Sequence, residues 1–437
     1  ASNYSLNSAA INITQRVLNS SGSKTYNANT NALAADITLS NLVSGEALNH
    51  SGTATIGSPN AASYTISNLS GISIADGSGG TASNYTLTGG THNFTVNQRP
   101  LNATLARQYD GTTTAAGSTL SSFDALQGGE TLTLSGSGTA ANDNVANGIS
   151  VSSLGTLALV NGTGAASNYS LNSAAINITQ RVLNSSGSKT YNANTNALAA
   201  DITLSNLVSG EALNHSGTAT IGSPNAASYT ISNLSGISIA DGSGGTASNY
   251  TLTGGTHNFT VNQKVISLSG SRLYDATTNA VASDLTTISG RVGSETLALS
   301  GTGSVSNANV SNNKTVTLGT LALGDGTGLA SNYTLTGGTH QLTVNQRPLN
   351  ATLARQYDGT TASAGSTLSS FDALQGGETL TLSGSGTAAS ANVANGITMS
   401  SNGNLALADG TGAASNYSLN STVINIAKRV LNSSGSK

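Results

Sequence analysis

The stretch NYTLTGGTHNFTV, residues 84–96, decides the fold. Tyr85 and Leu87 alternate with threonines, and Phe94 and Val96 alternate with polar residues beyond Gly89-Gly90. A period of two marks strands with one buried face. Two adjacent glycines can supply the positive φ values of a type I′ turn, so the stretch predicts a two-residue hairpin. The same reading applies at Gly254-Gly255 and Gly337-Gly338. Alternation continues elsewhere: Leu132 with Leu134, Ile149 with Val151, Leu157 with Leu159, Tyr169 with Leu171, and Ile176 with Ile178. No stretch of useful length shows a 3.6-residue period. The expectation is an all-β chain of antiparallel modules.

Working outward, the stretch belongs to a repeat. Residues 1–98 recur unchanged at 166–263, and 99–141 recur almost unchanged at 347–389. A shorter unit lies beneath these copies. Tyr26, Tyr109, Tyr191, Tyr274 and Tyr357 are spaced 82 or 83 residues apart. A second series, Tyr4, Tyr85, Tyr169, Tyr250, Tyr333 and Tyr417, always stands in Ser-Asn-Tyr. A basic residue (Arg16, Arg99, Arg181, Lys264, Arg347, Arg429) precedes Val or Pro at each junction. The chain therefore reads as a terminal fragment (1–16), module A (17–99), module B (100–181), a copy of A (182–264), module C (265–347), a copy of B (348–429) and the start of another module (430–437). It starts and stops inside modules, as a window of a longer array would. Between the two B modules Val151 becomes Met399, which keeps apolar bulk on the inward set. No flexible linker separates modules, and Pro100 and Pro348 fix φ at two junctions. Direct strand-to-strand joining predicts a semi-rigid rod gaining about 30–40 Å per module.

Composition narrows the function. Only 8% of the 437 residues are charged and the net charge is −3, against about 25% charged in ordinary domains. Nucleic-acid binding rests on clustered Lys and Arg, and there is no basic block. No apolar run approaches the ~20 residues of a membrane helix. There is no Cys and there are five His, so thiolate chemistry and Cys-ligated metal are excluded. No zinc-binding spacing, nucleophile elbow or phosphate loop occurs. We expect no enzyme, no catalytic residues, no cofactor and no metal.

The recurrent residues read as structural. In Tyr109-Asp110-Gly111 the tyrosine ends a strand and the Asp caps a turn; Asn27 and Asn192 replace the acid in the A modules. Ser-Asn-Tyr is expected to place Asn at the entry to the hairpin, with the two tyrosines of one module, such as Tyr109 and Tyr169, in a common core. One Glu per module (Glu46, Glu130, Glu211, Glu295, Glu378) and one basic residue two before each first tyrosine (Lys24, Arg107, Lys189, Arg272, Arg355) suggest a charge pair. The Asp-Gly loops at Asp76, Asp241, Asp325 and Asp409 each offer one carboxylate, too few for a tight calcium site. His92, His257 and His340 are read as facing outward on the last strand.

The motifs INITQR, YDGTT, GGETL and SNY resemble the YDG repeats of very large secreted bacterial adhesins related to filamentous haemagglutinin. The resemblance implies a bacterial cell-surface or released location. It supplies no catalytic residues. Together the readings predict a tandem array of small sandwich-like or β-grasp-like modules, the alternative being a continuous β-helix. The role expected is a stalk, a self-assembling filament or a biofilm matrix fibre. Its partners are neighbouring modules of the same chain and, in a filament, identical chains alongside, with no nucleic acid and no membrane insertion. The alternative role is direct binding of glycans or host surface proteins by the modules.

Overall fold

In a computed structural model, which describes residues 8–432, the chain is all-β, with many small sheets in tandem. Among the described residues no helix exceeds three residues, and each is a 3-10 turn such as Ala82–Asn84. No helix is long and apolar enough to cross a membrane. Tyr4 lies outside the described residues.

Module 17–99 shows the plan. Its first strand, Asn19–Thr25, pairs parallel with its last, His92–Asn97, from Ser20↔His92 to Thr25↔Asn97. Ile37–Ser40 adds antiparallel to the first strand and Ala62–Asn68 antiparallel to the last. The spatial order is thus second, first, last, third, which is a β-grasp order. Leu48–Ile56 pairs with Asn31–Leu33 and Ile72–Asp76, then crosses to Ala62–Asn68 at Ile56↔Ile66, and so joins the two sheets. The parallel central pair corrects the expectation of antiparallel pairing throughout. A parallel pair needs a long crossover, and the rest of the module is that crossover.

The Gly-Gly hairpin is also corrected. Tyr85–Thr86 does not pair with His92–Asn97. It pairs parallel with Arg16–Val17, on the same side as the first strand. Gly89 has φ +88°, but Gly90 is not in the positive region, so a type I′ turn does not form. In the third copy the Gly338 amide donates to the Leu335 carbonyl at 3.0 Å, closing a single turn with Gly337 at φ +84°. Gly90 is needed for close approach: a Cβ there would lie 1.9 Å from the Leu18 carbonyl oxygen.

Module 100–181 lacks this turn. Tyr169–Thr179 runs unbroken beside Arg99–Gln108, ten residues in parallel register with one shift after Leu101. Side-chain size is exchanged across the pair. Gly22 lies under the Phe94 ring, whereas Leu105 faces Ile176. A Cβ on Gly22 would come within 2.9 Å of that ring. Each pair fills the same inner layer, once with glycine and a large ring and once with two aliphatics.

The chain separates into two compact units. One is Ala1–Asn184, Leu204–His215 and Ile239–Gly255; the other is Ser185–Thr203, Ser216–Ser238 and Thr256–Lys437. The division runs through the repeat 182–264. Within the first unit, one hydrophobic cluster gathers Leu105, Tyr109, Ile149 and Ile176 with Leu183 and Tyr250. That core therefore takes side chains from two successive repeats.

Candidate functional site

The ring of Tyr26 meets the ring of Tyr169 edge-on, with centroids 5.2 Å apart and planes at 74°. Both hydroxyls donate to Glu130, Tyr26 to Oε1 and Tyr169 to Oε2, each at 2.5 Å. The Tyr169 oxygen also accepts the Gln127 amide at 3.1 Å. Tyr26 comes from one repeat, while Glu130 and Tyr169 come from the next. This clamp recurs as Tyr109–Glu211–Tyr250, Tyr191–Glu295–Tyr333 and Tyr274–Glu378–Tyr417, with hydroxyl–carboxylate distances of 2.5–2.7 Å. Ring separations there are 5.3–5.4 Å.

The local sequence explains the arrangement. The first tyrosine ends the first strand, so it projects at the repeat's far end. The glutamate follows a tight turn; Gly128 and Gly129 both have positive φ, and the Glu130 amide closes on the Gln127 carbonyl. The second tyrosine begins the last strand just after a 3-10 turn. Tyr26 is 3% exposed and Tyr169 2%. Burial, with the hydrogen bond to glutamate second, raises the hydroxyls of Tyr26, Tyr191, Tyr250, Tyr274 and Tyr417 to about 12. Those of Tyr109, Tyr169 and Tyr333 move the same way for the same cause. They remain protonated donors at neutral pH.

Two of the recurring tyrosines among the described residues stand outside these four clamps. Tyr85 is buried and donates to Glu46 of its own repeat. Tyr357 is 41% exposed, and the glutamate that follows it, Glu378, is held by Tyr274 and Tyr417.

The asparagine of Ser-Asn-Tyr makes a second tie. Asn168 is 1% exposed; its Oδ1 accepts the Ala61 amide at 2.9 Å and its Nδ2 donates to Asn60 Oδ1 at 3.1 Å. Asn249, Asn332 and Asn416 repeat both bonds on Asn144 and Val145, Asn225 and Ala226, and Asn309 and Val310. This corrects the hairpin-entry reading, since the asparagine docks on the preceding repeat. At the junction itself, Gln98 donates to the Ser167 carbonyl, and Arg99 to the Tyr26 and Ala125 carbonyls.

Three further expectations change. The tyrosines of one repeat do not share a ring contact: Tyr109 packs on Tyr250, and Tyr169 on Tyr26. The glutamates face tyrosines, and the basic residues close the turn after the first tyrosine. Lys24 Nζ donates to the carbonyls of Asn29 and Asn31, and Arg107 pairs with Asp110 at 2.9 Å. Burial lowers the Lys24 ammonium from its usual range. His92 faces inward with Phe94 and Val96, its Nδ1 2.9 Å from Ser20 Oγ and its Nε2 2.7 Å from the Leu87 carbonyl.

The turn readings of the acids match the geometry. Asp110 Oδ1 accepts the Thr112 amide at 3.0 Å, and Asp76, Asp241, Asp325 and Asp409 each accept an alanine amide at 2.7 Å. Asn161 does the same with its amide oxygen, because only an acceptor is required. In the turn after the first tyrosine the residue following Asp110 or Asn27 has positive φ, +72° at Gly111 and +58° at Ala28. That conformation favours glycine, and alanine tolerates it at a cost of about 1–2 kcal/mol. Among the described residues no group of three or more His, Cys, Asp or Glu is placed to hold a metal.

Five successive stretches, 7–92, 96–178, 174–258, 256–341 and 339–424, match the YDG domain. The chain belongs to the YDG domain family. No curated protein matches the sequence. The Tyr-Asp-Gly of the YDG domain survives intact at Tyr109 and Tyr357, and as Tyr-Asp-Ala at Tyr274. In these YDG repeats the second of those residues supplies the turn cap and the third the positive φ, and the first supplies a clamp at Tyr109 and Tyr274. The glutamate and the second tyrosine complete the clamp from the following repeat. Fixed spacing could not have revealed this, because in a tandem array each residue keeps constant separation from partners in every repeat.

Proposed function

We propose that this YDG array is the structural repeat region of an extracellular bacterial adhesin or matrix fibre, acting as a stalk or self-assembling filament. The role is architectural and includes no catalytic step. The observation that carries the reading is the recurrent clamp. Eight of the recurring tyrosines are engaged in holding one repeat to the next. A tandem array whose most regular residues serve its own junctions is suited to holding a position at a distance. Cells producing the protein, labelled with gold-conjugated antibody to the repeats and imaged by electron microscopy, test the proposal. Surface or matrix label on fibres supports it. Label confined to the cell interior would reject it.

A further inference from the structure

The two strands at which the chain enters and leaves a repeat lie side by side and parallel. In 100–181 they are Arg99–Gln108 and Tyr169–Thr179. The chain enters at Arg99, beside Tyr169, and leaves after Thr179, beside Gln108. Tension along the chain pulls the start of the first strand one way and the end of the last strand the other. Every hydrogen bond between them is then loaded in shear at once. An antiparallel pair pulled from its open end would instead unzip, its bonds breaking singly and in sequence.

The repeats differ in the length of this ladder. In 100–181 and 348–429 it holds ten residues on each side, broken only by a one-residue shift. In 17–99, 182–264 and 265–347 a continuous run of six is separated from a further two by the Gly-Gly turn. The backbone of Gly90 approaches Leu18 in the gap left by that turn.

We infer that each YDG repeat is a tension-bearing unit in which the parallel entry and exit strands form a shear-loaded ladder, graded so that the repeats lacking the Gly-Gly turn rupture last. This goes beyond the stalk role, because it concerns the mechanical response of each repeat wherever the chain is located.

Single-molecule force spectroscopy on the full chain tests it. The sequence has no Cys, so introduced cysteines give unique handles. Handles at Q98C and Q180C load the repeat 100–181 in shear. Handles at Q108C and T179C, at the adjacent strand ends, peel the same ladder. Positions 98, 108, 179 and 180 are all exposed. The expected rupture force is several-fold higher in the first geometry. Equal or lower force there overturns the inference. Pulled from its ends, the chain should give events of about 270–300 Å for repeats of this length, three at lower force and two at higher force. A single force population, or lower force for the two long-ladder repeats, overturns the grading.

Discussion

Removing the glutamate of one clamp should loosen two repeats. Glu378 joins Tyr274, in 265–347, to Tyr417, in 348–429, through bonds of 2.5 and 2.6 Å. Both tyrosines are 3% exposed or less. A hydrogen bond to a charged group contributes about 1.5–3 kcal/mol. Two such bonds set an upper range, which is reduced because Glu378 is partly exposed and water reaches the vacated space. Glu378→Ala is therefore expected to cost about 2–4 kcal/mol, which speeds amide opening by about 30-fold to 1000-fold at 1.36 kcal/mol per decade. Hydrogen exchange read by mass spectrometry is the assay. This clamp is the one to use because peptides covering Ser267–Leu273 and Thr422–Lys428 are unique in sequence, whereas those around Tyr26 are duplicated around Tyr191. Faster exchange is expected in both Ser267–Leu273 and Tyr417–Ala427. Loss of protection confined to the second strand, with the first unchanged, would show that Glu378 does not hold the two repeats together.

Three other outcomes follow from the same geometry. Alkaline pH should unfold the array: burial raises the clamp tyrosines above the ordinary value near 10 that they regain on unfolding, Tyr274 and Tyr417 to about 12. Their contribution is complete below pH 10 and lost as pH rises towards 12, to be followed by tyrosinate absorbance and circular dichroism together. Asn332→Ala removes two bonds at a buried position and leaves the Ala226 amide without its acceptor, costing about 2–3 kcal/mol. Asn84→Ala, at an exposed site, should stay within about 0.5 kcal/mol; urea titrations compare the two. Thr422→Val should stabilise its repeat by about 1 kcal/mol, because Thr422 Oγ1 is buried without a partner and the sister repeat carries Ala174 there. A higher melting temperature checks it.

Much of the strand content was legible because alternation is local: Leu132 with Leu134 and Ile176 with Ile178 lie in the strands expected. Strand partners were not legible. Tyr85 and Arg16, or His92 and Ser20, meet across some 70 residues, and nothing near Gly89-Gly90 distinguishes a hairpin from a turn between two parallel stretches. Strict parity does place His92 on the face of Phe94 and Val96, so its inward position was available in the sequence. The clamp was half legible. Tyr26, Glu130 and Tyr169 recur at fixed intervals, but a glutamate 104 residues from its tyrosine is as regular as one in the same repeat. Charge suggested a basic partner for each glutamate. The buried hydroxyls supply donors instead, while the turn carbonyls occupy Lys24.

The most direct test is a pair of double-mutant cycles on the full chain, read from exchange of the Ser267–Leu273 amides. One cycle substitutes leucine at Tyr274 and Tyr417, which stand in successive repeats; the other at Tyr274 and Tyr333, which share a repeat. A coupling of about 0.5–1.5 kcal/mol is expected for the first pair and additivity within about 0.3–0.5 kcal/mol for the second. Coupling between Tyr274 and Tyr333 with none between Tyr274 and Tyr417 would contradict the clamp between successive repeats.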